Sequence, residues 1–113
     1  MKISHFHVSV QDLNSALQWL ERVLEVRPTF QDDRLASVPF GDFIIIVDKA
    51  DRDVPVTIGF DSKDCDGDYR RLIERGALSL EEPTDRSWGV RSAYLHGPGA
   101  VRVEIEQPLS GAK

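Results

Sequence analysis

Apolar and polar residues alternate from residue 3 to residue 10, with Phe6, Val8 and Val10 on one side and His5, His7 and Ser9 on the other. A period of two predicts a strand with one oily face and one face of chemical groups. Asp12 stands where a helix N-cap belongs. Behind it, Leu13, Ala16, Leu17, Leu20, Val23 and Leu24 recur at three-and-four spacing, which predicts an amphipathic helix ending near Arg27-Pro28. Two stretches rich in β-formers follow, 34–39 and 42–48, and Gly41-Asp42 between them marks a hairpin turn.

The pattern then restarts. Val56, Ile58 and Phe60 oppose Thr57, Gly59 and Asp61. Asp64 sits as a second cap, and Cys65, Tyr69, Leu72 and Ile73 form a second stripe that closes at Gly76. The two copies lie 52 positions apart, pairing His5 with Thr57, Asp12 with Asp64, Leu17 with Tyr69 and Leu20 with Leu72. Strands are predicted at 78–83, 90–96 and 101–107, the last two joined through Gly97-Pro98-Gly99. The expected fold is α+β, a single domain over 1–113 made of two βαβββ modules from an internal duplication. Module one covers about 1–50 and module two about 54–108, before a short polar C-terminal tail. Such modules are expected to form a curved mixed sheet around a cup, with the helices on the outer face. Segments 28–34 and 80–89 carry no pattern that fixes their path.

Strand parity divides the second module's residues. Ala93, Leu95, Val101, Val103 and Ile105 belong with the helix-facing set; Ser92, Tyr94, His96, Arg102, Glu104 and Glu106 are left for the other face. Together with His5, His7, Ser9 and Thr57, that second surface is too polar for a sealed core. Two explanations stand: a polar concave binding site, or a sheet face that meets water.

Charge narrows the partners. Fourteen basic against nineteen acidic side chains give a net charge of −5, with no basic block to neutralise phosphates, so nucleic acid is not an expected partner. The same sign attracts cationic molecules. Phe43 to Val47, the longest apolar run, is too short to span a bilayer, and the N-terminus does not lead into a secretory apolar region. No membrane association and a cytoplasmic address are expected. Cys65 is the only cysteine, which excludes an internal disulfide or a multi-cysteine zinc site, and it reads as a small buried residue.

Several local patterns occur in a telling order: His5 seven residues before the capping Asp12, Trp19-Leu20 in the first helix, and Asp64 through Gly76 with Tyr69 and Leu72 inside it. Trp88-Gly89-Val90-Arg91-Ser92 and Gly97-Pro98-Gly99 ahead of Glu104 complete the set. Across nearly the whole chain this resembles the vicinal oxygen chelate superfamily of glyoxalases, bleomycin-resistance proteins and extradiol dioxygenases, and it is closest to the bleomycin-resistance branch. The resemblance implies His5 and Glu104 as metal ligands. It puts Thr57 at a third ligand position and Ile45 or Ile46 at a fourth, so the implied site is incomplete. His7, on the face of His5, is an alternative third donor.

The expected function is therefore binding of a small organic molecule, without cofactor, through His7, Thr57, Trp88, Tyr94, Arg102 and Glu106. Trp88 offers a flat stacking surface and the others offer hydrogen bonds. The alternative is an enzyme dependent on a divalent metal, a lyase, isomerase, thiol transferase or dioxygenase with His5 and Glu104 as ligands. A non-catalytic interaction module with a vestigial cup ranks third. The resemblance also implies a homodimer.

Overall fold

A computed structural model describes residues 5–109. The expected strand start at residues 3 and 4, and the tail beyond Leu109, lie outside the described residues. In β1 (His5–Val10) the alternation becomes burial: Val8 and Val10 are buried, His5 and His7 exposed. The side chain of Asp12 accepts a hydrogen bond from the Ser15 amide at 3.0 Å and so caps α1 (Leu13–Leu24). The helix ends three residues short of Arg27 because Glu25 takes a left-handed conformation, φ 60°, and its amide turns back to Glu21 O and Leu20 O. A left-handed glutamate leaves no mark on the apolar spacing.

β2 (Phe30–Gln31), β3 (Leu35–Phe40) and β4 (Phe43–Lys49) complete the first sheet, in the order β1-β4-β3-β2. β1 runs parallel to β4, and the remaining pairs are antiparallel. The register sets Val8 and Ala36 beside Val47, and Val38 beside Ile45, making one apolar face. Leu13, Ala16, Leu17, Leu20 and Val23 of α1 supply the rest of this core, all of it buried. β2, only two residues long, lies in a segment whose path the alternation left open.

The second module repeats this plan. β5 (Val56–Asp61), α2 (Cys65–Glu74), β6 (Leu78–Asp85), β7 (Val90–His96) and β8 (Val101–Pro108) form a sheet in the order β5-β8-β7-β6. Asp64 caps α2 by accepting from the Gly67 amide at 3.1 Å. Cys65, Leu72, Ala77, Ala93, Leu95, Val103 and Ile105 are buried, as parity requires of the β7 and β8 members. Burial also pushes the Cys65 thiol up from its ordinary value, and its Sγ donates to Ile105 O at 3.6 Å. β6 reaches Asp85, two residues past the expected end, and shifts register between Ser79 and Glu81 and again between Glu81 and Thr84.

The fold is thus α+β with two repeated modules of identical strand order. They correspond to two compact units that divide between Val56 and Thr57, except that Pro98–Val101 of the β7–β8 turn belongs to the first. Gly99 explains how that turn fits there. Its φ is +60°, and a β-carbon would stand 2.9 Å from both Val10 Cγ1 and Asp53 Oδ1. Asp53 in turn accepts from the Gln11 amide at 2.8 Å. Among the described residues, no helix is long and apolar enough to cross a membrane.

Candidate ligand-binding site

In the second sheet, the face opposite Leu95, Val103 and Ile105 carries an interlocked polar cluster. Tyr94 on β7 lies opposite Glu104 on β8 in register, and its hydroxyl donates to Glu104 Oε2 at 3.0 Å. Burial first, and then this hydrogen bond, pushes the Tyr94 phenol up from its ordinary value. Two guanidinium groups flank the ring: Arg102 Cζ at 4.6 Å from the centroid and Arg86 Cζ at 5.6 Å. Arg102 Nε also donates to the Thr57 hydroxyl of β5 at 3.3 Å. Gly59, two residues along β5, lies beside the same carboxylate; a β-carbon on it would meet Glu104 Oε1 at 3.7 Å, an ordinary van der Waals contact.

Arg86 anchors the far side of the cluster. Its Nε donates to Ser92 Oγ at 2.8 Å, its Nη2 donates to Ser92 O at 3.3 Å, and Nη2 also lies 3.0 Å from Glu81 Oε1. The β6 irregularities contribute here, because the extra residues set Glu81 opposite Tyr94 and Thr84 opposite Ser92. Ser92, expected on the open polar face, is fully buried at 0% exposure beneath this arginine. Parity placed it on the correct side of the strand; the covering side chain comes from a turn that has no period. Arg86→Ala strips the buried Ser92 hydroxyl of its donor and is expected to cost about 1–3 kcal/mol. Arg91→Ala removes ion pairs to Asp66 and Asp85 that are largely exposed, and should cost less than about 1 kcal/mol. Urea unfolding of the two variants measures the contrast.

Of the residues expected to bind ligand, Thr57, Tyr94 and Arg102 therefore meet, and Glu104 joins them. Glu106 pairs in register with Ser92 on the same strand face. Trp88 stands 64% exposed on the turn between β6 and β7. His5 and His7 belong to the first unit. There the His7 Nδ1 lies 3.4 Å from Asp48 Oδ2, Ser9 Oγ donates to Asp48 Oδ1 at 2.7 Å, and the two imidazole rings meet edge to face at 5.3 Å. The register puts Ile46 beside His7, while Ile45 is buried in the core. Among the described residues, no three His, Cys, Asp or Glu side chains gather into a group that could hold a metal. The sequence reading missed Arg86, Glu81 and Asp48. An open groove of about 380 Å³ also lies on the first unit, along α1, lined by Asn14, Leu17, Gln18, Glu21, Arg27, Pro28 and Gln31.

No protein-family model matches the chain, and no curated protein matches it in sequence. Solved structures do match in fold. A glyoxalase/bleomycin resistance protein/dioxygenase from Nocardioides aligns at TM-score 0.85 and 21% identity, over 100% of this chain and 87% of that one. A member of the glyoxalase/bleomycin resistance protein/dioxygenase superfamily from Sphaerobacter thermophilus aligns at TM-score 0.78 and 20% identity, covering 95% and 97%. Lactoylglutathione lyase from Agrobacterium tumefaciens aligns at TM-score 0.79 and 15% identity, covering 94% and 92%. Identities this low establish a shared fold and leave the reaction open.

Proposed function

Starting from a chain with the glyoxalase/bleomycin resistance protein/dioxygenase fold, that of the vicinal oxygen chelate superfamily, we propose that it binds a small organic molecule on the polar face of its second sheet. Tyr94, Arg102, Thr57 and Glu104 hold that molecule, with Glu106 beside them, and no complete metal site takes part. One observation carries this reading: Tyr94 is locked between two guanidinium groups and a carboxylate on the face away from the core. A sheet face that merely meets water needs no such order, because each fixed side chain gives up rotamer freedom. Groups held in place before binding lose less entropy when a ligand arrives.

The donor set does not fit a divalent ion. Thr57 occupies the third ligand position that the family resemblance implies, a neutral hydroxyl is a poor ligand, and this one accepts a hydrogen bond from the Arg102 guanidinium. A cation already stands beside the oxygen that a metal would need. His5 and Glu104 alone would leave most coordination positions to water.

The test is a thermal-shift screen of aromatic and polar metabolite-like compounds on chelator-treated protein. A ligand at a hundred times its Kd stabilises the folded state by about 2.7 kcal/mol. Hits are expected that lose their shift in Tyr94→Phe and Arg102→Ala. Stabilisation that needs stoichiometric zinc, nickel or manganese and vanishes in His5→Ala would reverse the reading, as would a screen with no hit.

A further inference from the structure

Four arginines of the chain, Arg27, Arg71, Arg86 and Arg91, are paired with carboxylates, at 3.0, 3.4, 3.0 and 2.9 Å respectively. Arg102 is different: it is held in place by uncharged partners. Its Nε is fixed by the Thr57 hydroxyl at 3.3 Å, and its Cζ lies 4.6 Å from the Tyr94 ring centroid. Among the described residues, no carboxylate oxygen lies within 4.0 Å of its nitrogens, and neither terminal nitrogen has an acceptor. The nearby Glu104 is engaged by the Tyr94 hydroxyl instead. The residue itself is exposed.

A long side chain on a strand ordinarily keeps most of its rotamers, or gives them up for an ion pair. Arg102 is contacted from behind through Nε and the ring, while the two amino groups at the tip of its planar fork remain available. That fork matches two oxygens of one acid group, and the bidentate pair is among the stronger polar contacts a protein makes. We infer that the ligand of the second sheet carries an oxyanion, a carboxylate or a phosphate, and that Arg102 is its anchor, with Thr57 and Tyr94 as positioning residues. This rests on the ligand-binding reading above and adds the chemical class. It also runs against the overall charge of −5, which by itself favours cations.

The test is a titration of the folded protein with four probes sharing one ring: benzoate, phenyl phosphate, benzyl alcohol and benzylammonium. Amide and Arg Nε–H shifts give the affinities. At least one of the two anions should bind tenfold or more tighter than benzyl alcohol, and comparison of the two separates a carboxylate preference from a phosphate preference. Arg102→Gln should abolish the difference. Arg102→Lys, which keeps the charge but loses the fork, should restore only part of it. Thr57→Val should weaken the anion several-fold while leaving benzyl alcohol unchanged. Binding of benzyl alcohol or benzylammonium at this face as tight as that of both anions overturns the oxyanion assignment and leaves the ligand-binding reading standing. An anion preference that survives in Arg102→Gln overturns the anchor. Binding of none of the four overturns the oxyanion assignment, and the screen above then decides the broader reading independently.

Discussion

Leu95→Ala should lower stability by about 3 kcal/mol, within the range for a fully buried leucine whose neighbours cannot close the cavity. Leu95 is at 0% exposure on β7, which is hydrogen-bonded on both sides, to β8 and β6. Ala93, Val103 and Ile105, which share its sheet face, are themselves buried. For a chain of this length the melting temperature should fall by roughly 10–15 °C. The adjacent substitution Tyr94→Phe keeps the ring and should move the melting temperature by only a few degrees. Calorimetry on both variants reads the strand directly, since neighbours one residue apart serve opposite faces. Similar losses in the two would mean that the second-sheet faces are assigned wrongly.

Gly99→Ala is expected to cost about 2–3 kcal/mol, for two separable reasons. A left-handed conformation disfavours any β-carbon by about 1–2 kcal/mol, and here the new atom would also collide with Val10 Cγ1 and Asp53 Oδ1, each 2.9 Å away. Gly41→Ala supplies the control. Its φ is +58°, but a β-carbon there meets nothing within 4 Å, so it should show the backbone cost alone, about 1 kcal/mol. Urea midpoints for the pair isolate the packing contribution. Equal losses would mean that the turn does not bear on Val10 and Asp53.

Where structure follows from period and capping, the chain could be read directly. The alternation of His5 through Val10 became burial, Asp12 and Asp64 became caps, and Leu95 and Tyr94 parted to opposite faces. Features set by tertiary path could not be read this way. Glu25 ends its helix in a conformation that glutamate seldom adopts, and a two-residue strand such as Phe30–Gln31 is too short to show a period. Arg86 follows β6 at a turn, and nothing in Asp85-Arg86-Ser87 announces that its guanidinium folds back over Ser92. The polar cluster proposed as the site was legible in part for the same reason. Thr57, Tyr94, Arg102 and Glu104 sit on strands, where parity assigns a face, whereas Glu81 owes its place to irregular register. The net charge of −5 likewise says nothing of where a single charge stands, such as Arg102 beside Tyr94 and Thr57.

The decisive measurement is amide chemical-shift mapping with the compound that gives the largest thermal shift. Perturbations should concentrate at Thr57, Tyr94, Arg102 and Glu104, with Asn14, Gln18 and Gln31 of the α1 groove unmoved. Shifts confined to those groove residues, with the second-sheet cluster silent, would contradict the placement of the ligand.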